Sequence, residues 1–340
     1  MTLADRLVAD WYSPRCSALT ALLRPLSSLF GAAVALRRVL YRRGILHSVR
    51  LSVPVVVVGN ITVGGSGKTP LVAALARALA QRGHRPGIVS RGYGRASDGD
   101  APIPVGVDDD PDRVGDEPLL LARTGFPVVV ARDRVAAGRE LLARHPECDV
   151  ILADDGLQHY RLARDVEVAV VDTTRAPGRP WLLPAGPLRE PRSRLDEVDA
   201  VVALVPAGAA LPANLPGAFA MTLAGEVFVR VGDPRVTAPV SRFAGAGVHA
   251  LAGIGHPERF FAQLSAMGIA AAPHPFPDHH RFVADDLAIA GARAIVMTEK
   301  DAVKCKAFAD ERCWYLPVEA RVDDALVTLI EGSLHGSQAA

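Results

Sequence analysis

Two groups of residues in this 340-residue chain have the types and spacing of working chemistry. The first is Gly59-Asn60-Ile61-Thr62-Val63-Gly64-Gly65-Ser66-Gly67-Lys68-Thr69-Pro70. Gly64, Gly65, Ser66 and Gly67 let backbone N–H groups wrap a run of phosphates. The Lys68 ammonium neutralises them, the Thr69 hydroxyl can hold Mg²⁺, and the dipole of a following helix adds to both. The strict P-loop pattern wants glycine where Thr62 stands, so Gly64 and Gly65 must supply the tight turn. The second group is Asp154-Asp155, at the end of the run DVILADD. A carboxylate at the C-terminal tip of a neighbouring strand points into the crevice where a nucleotide would lie, and Mg²⁺ takes hard oxygen ligands. Paired acids after a strand also serve as turn starters, but the phosphate loop favours the metal role.

These groups need a scaffold of parallel strands and helices. Val53–Val58 is a continuous β-branched run, as a strand buried on both faces requires. The spacing predicts a helix over Pro70–Arg82. Further strands are expected at Arg85–Val89, Pro127–Val130, Val150–Ala153, Val166–Val171 and Ala200–Leu204. Strand–helix alternation implies a parallel sheet with right-handed crossovers. Pro, Ala and Gly crowd Pro206–Pro216, which marks a linker. Beyond it, strands at Val248–Ala252, Ala294–Met297 and Trp314–Pro317 and helices at Pro257–Met267 and Asp301–Ala309 form a smaller α/β unit. The expected organisation is an N-terminal helix over 1–45, a phosphate-loop core over 50–218, a smaller α/β domain over 219–330 and a tail over 331–340.

Composition excludes several classes. The chain is 49% hydrophobic and 22% charged, which rules out disorder as its main state. A net charge of +1 carries no global basic field for nucleic acid. Cys16, Cys148, Cys305 and Cys313 make no CxxC pair, so a disulfide scaffold or zinc ribbon is not expected and a reducing compartment fits.

The mean hydropathy of +0.19 is high for a soluble enzyme, and the surplus has a location. Residues 17–36 carry one charge, Arg24, and are followed by Arg37, Arg38, Arg42 and Arg43. Leu22, Leu26, Leu29, Ala33, Leu36 and Leu40 recur at helical spacing as one stripe. A helix with one apolar face and basic flanks suits the membrane interface. A structural helix packed on the domain and a single transmembrane span are the competing readings. Arg24-Pro25 and Ser27-Ser28 weaken the span. A signal peptide does not fit, because the charge follows the apolar stretch.

Eight blocks occur in order: GNITVGGSGKTP, SRGYGR (90–95), GDEP (115–118), ADDGLQH (153–159), PAGPLREP (184–191), GIGHPERFF (253–261), FPDHH (276–280) and TEKDAVK (298–304). Together they resemble the tetraacyldisaccharide 4'-kinase family, the lipid A 4'-kinases of Gram-negative bacteria. The Thr62 variation is that family's own form of the loop. The resemblance implies transfer of the ATP γ-phosphate to the 4'-hydroxyl of tetraacyldisaccharide 1-phosphate at the cytoplasmic face of the inner membrane. It also implies a phosphate-loop core and a smaller C-terminal domain joined by a two-stranded hinge, with the nucleotide between them. It assigns the N-terminal helix to membrane association, with no nucleic acid involved and no protein partner required.

The resemblance also points to residues. It places the base at Asp116 and its partner at His279, with Lys68 on the phosphates. A sugar hydroxyl is a poor nucleophile, an isolated Asp is a weak base, and a His can orient it and share the proton. The residue types alone do not separate His279 from His280. Gln158 and Glu190 join Thr69, Asp154 and Asp155 as expected Mg²⁺ groups. Arg189 is placed to stabilise the transferring phosphoryl, or simply to pair with Glu190 at the surface. Arg91, Tyr93 and Arg95 form a basic Gly-rich loop for the sugar or its 1-phosphate, or a solvated turn. Thr298 and Asp301 read as a capping box. The competing class is a GTPase-type switched binding protein or metal chaperone. Its guanine-reading N/T-K-x-D block is not matched by TEKD, where Lys300 and Asp301 are adjacent.

Overall fold

The computed structural model describes residues 3–13, 17–93, 101–174 and 178–338. In chain order its first elements are α1 (Leu3–Trp11), α2 (Ala18–Arg42), β1 (Val55–Gly59), α3 (Lys68–Gln81), β2 (Pro86–Ser90) and β3 (Ile103–Pro104). Then come α4 (Pro111–Val114), α5 (Asp116–Ala122), β4 (Val128–Val130), α6 (Arg134–Arg144), β5 (Val150–Asp154), β6 (Val166–Asp172), β7 (Ala200–Leu204) and β8 (Phe219–Ala224). The remainder are β9 (Val227–Arg230), β10 (Thr237–Pro239), β11 (Val248–Ala252), α7 (Pro257–Ala266), β12 (Ala272–Pro275), β13 (Ala294–Thr298), α8 (Glu299–Cys305), β14 (Cys313–Leu316), β15 (Glu319–Val322) and α9 (Asp324–Gln338).

The larger sheet runs β15-β8-β7-β6-β1-β5-β2-β4-β3. It is parallel from β8 to β4, with β15 and β3 antiparallel at its edges. β1 is buried throughout, as its β-branched run requires. Val56 and Val58 face one layer, with Leu71, Leu75 and Leu79 of α3. Val55 and Val57 face the other, with Val135 and Leu141 of α6. Leu75 has no exposed surface, so Leu75→Ala is expected to cost about 2–5 kcal/mol, read as a lower urea midpoint.

The smaller sheet runs β10-β9-β14-β13-β11-β12, with β14 to β12 parallel. The expected α/β class with two units therefore holds. The expected boundaries do not. Residues 219–224 and 319–322 are β8 and β15, paired antiparallel within the larger sheet. Residues 324–338 are α9, whose Leu326, Ile330 and Leu334 lie in the α3 core rather than in a tail. The chain leaves the core after β8 and returns through β15. Linear reading misses this, because a returning strand finds its partner only in space. This antiparallel pair is the two-stranded link between the units.

Two helix ends also differ from expectation. α3 begins at Lys68, because Pro70 sits in the first turn, where its missing N–H costs nothing. α8 begins at Glu299, because the Thr298 hydroxyl accepts the Asp301 N–H and caps it.

α2 is 25 residues long and apolar enough to cross a membrane by length and composition. It docks through its small polar face. Thr20 and Ser27 are buried, and the Ser27 hydroxyl donates to the Leu182 carbonyl at 2.6 Å. A Cβ on Gly31 would meet the Leu182 side chain at 2.8 Å. Leu22, Leu26, Leu29 and Leu36 point away, at 52–77% exposure. This is the reverse of a helix packed on a soluble core, whose leucines face inward. Arg38 and Arg42 pair with Glu197 at its C-terminal end.

Candidate active site

The phosphate loop leaves β1 and enters α3, the strand–turn–helix context the motif needs. Gly67 stands at φ +86° before the helix, a conformation that suits glycine. Asn60 is fully buried under the loop, and its amide donates to the Ser66 hydroxyl at 3.0 Å. Lys68 is 8% exposed. Its Nζ lies 3.5 Å from Asp155 Oδ1.

Asp154 ends β5, in register with Val58 of β1. That register puts both carboxylates of the pair beside the loop. The two are set apart by their surroundings. Burial and the charges of Glu117 and Asp155 push Asp154 up to about 7, against Lys68 and Arg134. Burial also pushes Asp155 up, but Lys68 and Arg189 outweigh it and hold this carboxyl well below the ordinary range. Arg189 Nη1 reaches both Asp155 oxygens at 3.0 Å. Asp154 Oδ1 is buried with no hydrogen-bond partner. An orphaned carboxylate oxygen beside a phosphate loop fits a hard cation. The donor set of Thr69, Asp154 and Asp155 therefore suits Mg²⁺.

Gln158 and Glu190, expected in the cation shell, bond to each other beside the loop. Glu190 is 1% exposed. Its Oε1 accepts from Gln158 Nε2 at 2.7 Å, and its Oε2 accepts from the Tyr160 hydroxyl. Gln158 Nε2 also donates to the Asn60 carbonyl at 3.0 Å. Gln158 thus braces the loop at Asn60, and Glu190 fixes the Gln158 amide. Spacing cannot show this, because a buried and a cleft-facing carboxylate look alike in sequence. Arg189 likewise pairs with Asp155 rather than Glu190. Arg134 carries no signal in the sequence: its buried guanidinium donates to the carbonyls of Ala131, Asp154 and Asp155.

Asp116 opens α5 and is buried. Gly115 precedes it at φ +95°, where a Cβ would meet the Tyr93 carbonyl at 2.9 Å. Glycine lets α5 sit against the Gly92-Tyr93 turn. Asp116 Oδ2 lies 3.1 Å from His279 Nδ1, so the structure joins residues 163 apart. His279 is held at φ +58°, a strained backbone for a non-glycine residue. His280 turns the other way. It stacks on Phe276 and bonds Asp286 at 2.9 Å, which makes it part of the local packing.

Burial pushes Asp116 up, but the His279 bond and the Lys300 and Lys304 ammoniums outweigh it, leaving the carboxyl below its usual value. For His279, burial pushes down and Asp116 pulls up, with a net rise. Tyr93 is exposed, with its ring 5.0 Å from the His279 ring, and Arg91 is exposed beside it. Arg95 lies outside the described residues.

A cavity of about 290 Å³ opens between the two units. Gly65 to Thr69 line one end, and Leu120, Ile254, Phe260 and Val318 give it apolar walls. Arg259 of α7 meets Asp172 of β6 at 3.0 Å across the units. Thr298 Oγ1 donates to Asp301 Oδ2 at 2.6 Å, and Asp301 is fully buried in the first turn of α8. Asp301 is therefore not placed to read a base, which removes support for the GTPase reading.

The sequence profile of the family described as LpxK, tetraacyldisaccharide-1-P 4'-kinase, matches residues 19–335. The tetraacyldisaccharide 4'-kinase of Azoarcus sp. (strain BH72) is 55% identical over 317 residues, covering 93% of this chain and 92% of that protein. That of Chromobacterium violaceum is 56% identical over 323 residues, covering 91% and 92%. The crystal structure of LpxK from Aquifex aeolicus, an "apo" form in complex with ATP, superposes with a TM-score of 0.75 at 30% identity. The superposition covers 93% of this chain and 99% of that one.

Proposed function

We propose roles for these residues from one premise: this chain belongs to the tetraacyldisaccharide-1-P 4'-kinase family. It is an ATP-dependent kinase of lipid A biosynthesis, transferring the γ-phosphate to the 4'-hydroxyl of tetraacyldisaccharide 1-phosphate. The observation that carries the residue assignment is the meeting of Asp116 and His279 beside a cleft lined by Lys68 and Thr69.

In this reading, backbone N–H groups from Gly64 to Thr69 hold the β- and γ-phosphates, and Lys68 follows the charge on the transferring group. Thr69, Asp154 and Asp155 would hold Mg²⁺, which supplies charge neutralisation on the phosphate oxygens. Arg189 holds Asp155 ionised. Asp116 takes the proton of the 4'-hydroxyl as the new O–P bond forms, and the γ–β bridging oxygen leaves with its electron pair on ADP. His279 orients Asp116. The apolar far end of the cavity suits a purine base. Tyr93, next to His279, and Arg91 would meet the acceptor. Closure of the two units over the substrates would exclude water and limit wasteful ATP hydrolysis.

The direct test is transfer from γ-labelled ATP to a tetraacylated glucosamine disaccharide 1-phosphate in detergent. Transfer is expected with Mg²⁺ and its loss with EDTA. Transfer that persists in EDTA would remove the metal role from Thr69, Asp154 and Asp155.

The exposed leucine face of α2 supports seating on a membrane surface, and its basic end supports anionic lipid. The cytoplasmic face of the inner membrane is where ATP and this lipid would meet. Replacing Leu22, Leu26 and Leu29 together by Ser is expected to abolish flotation with anionic vesicles and to spare transfer in detergent. Unchanged flotation would assign membrane contact elsewhere.

A further inference from the structure

The acceptor atoms of Asp116, Glu117 and His279 converge to within 4.8 Å of one another, an arrangement that draws in a cation. The cation standing among them is the chain's own Lys300. Its Nζ lies 3.0 Å from Glu117 Oε1, 3.3 Å from His279 Nε2, 3.5 Å from Asp278 Oδ1 and 3.9 Å from Asp116 Oδ2. We propose that Lys300 is a positioning residue for the Asp116–His279 pair: it donates to His279 Nε2, confines the ring's single proton to Nδ1, and opposes double protonation. The inference rests on the reading of Asp116 and His279 given above.

The geometry leaves few alternatives for the ring. A nitrogen facing an ammonium at 3.3 Å must offer its lone pair. The proton of the neutral imidazole then sits on Nδ1, where Asp116 Oδ2 accepts it. A second proton would have to occupy Nε2, against the Lys300 charge. Two further bonds fix this placement. His279 N donates to the Gly253 carbonyl at 3.2 Å, while Gly253 N donates to Asp301 Oδ2 at 2.9 Å. Asp301 lies in the first turn of α8, next to Lys300. Ring and ammonium are therefore tied to the same residue of the β11 loop.

The described groups around the ring are Asp116 and Glu117 from α5, Asp278 beside it, Lys300 and Lys304 from α8, and Tyr93 over its face. Burial pushes the ring's pKa down, Asp116 lifts it above the ordinary histidine value, and Lys300 pulls against that lift. Burial pushes Lys300 down, but Glu117, Asp116 and Asp278 outweigh it and keep the ammonium charged. An imidazolium 3.1 Å from Asp116 would weaken that carboxylate as a proton acceptor. Lys300 thus sets how far into acid the pair keeps working.

The test is the pH profile of kcat for the full-length protein with Mg²⁺, ATP and the lipid acceptor in mixed micelles, for the wild type, Lys300→Met and Lys300→Arg. In Lys300→Met the acidic limb is expected to move up by about one pH unit, lowering kcat about tenfold below the limb. The rates should converge at alkaline pH with the KM for ATP unchanged. Lys300→Arg keeps the charge and should keep the limb. A loss uniform across pH, or a raised KM for ATP with an unmoved limb, would overturn the inference. The first outcome would make Lys300 structural and the second a phosphate contact. Where Lys300→Met does not fold, Lys300→Gln carries the same measurement. Asp116→Ala is run alongside. Wild-type kcat in Asp116→Ala would sink the base reading itself, whereas an inactive Asp116→Ala with an unmoved Lys300→Met limb would sink only the role of Lys300.

Discussion

Lys68→Ala is expected to lower kcat by about 10²–10³, or about 2.7–4 kcal/mol, the scale of removing one preorganised charge stabiliser from a transition state. Lys68 is the first residue of α3, is nearly buried, and reaches into the cleft from the loop's end. Its charge matters in two ways. In the proposed mechanism it follows the phosphoryl group as the bridging bond lengthens. It also holds Asp155 ionised, so its loss would raise that carboxyl and weaken the cation's donor set. The backbone N–H groups of the loop remain, so ATP should still bind. Single-turnover transfer with labelled ATP, beside nucleotide binding at equilibrium, separates the two effects. A kcat within a few-fold of the wild type would mean that the loop only holds nucleotide and that Arg189 or another cation carries the transfer.

Asp116→Asn is expected to lower kcat by about 10²–10⁴, the range for losing a positioned general base. Asn keeps the shape and can still meet His279, so the change isolates the charge. The KM for ATP should hold, because the role proposed for Asp116 is on the acceptor hydroxyl. The carboxyl lies below its ordinary value, so it remains an anion at neutral pH and ready to accept a proton. A loose phosphoryl transition state needs little proton removal early on, which argues for the lower part of that range. Near-normal kcat in Asp116→Asn would place the base elsewhere or show that none is needed.

Much of the fold and part of the site were legible in the sequence. The Val55–Gly59 strand follows from its β-branched run, and the loop after it from Gly64, Gly67, Lys68 and Thr69. Asp154 could be placed at a strand tip because VILA before it is continuously apolar. Ala200–Leu204 and Val248–Ala252 match their expected limits for the same reason. The N-terminal leucine stripe was visible as a periodicity. That it faces outward was not, because the same spacing serves a helix packed on a core.

What local spacing left open or could not show had a common cause. Glu190 and Asp155 carry the same group, yet one is sealed behind the loop against Gln158 and Tyr160 while the other faces Lys68. His279 and His280 are neighbours, yet a positive φ at the first sends their rings to opposite sides. Lys300 carried no signal beyond a capping box, since its partners lie on α5 and on another loop.

The sequence by itself determined the chemistry available: a phosphate loop, a carboxylate pair beside it, and a membrane-suited helix. These depend on local spacing, which strand and helix periods translate directly into position. The tertiary structure alone decided which carboxylate is ionised, which histidine meets Asp116 and where the chain re-enters the core. Those depend on burial, charge and strand pairing between residues far apart in the chain, and only the folded arrangement brings such residues within each other's reach.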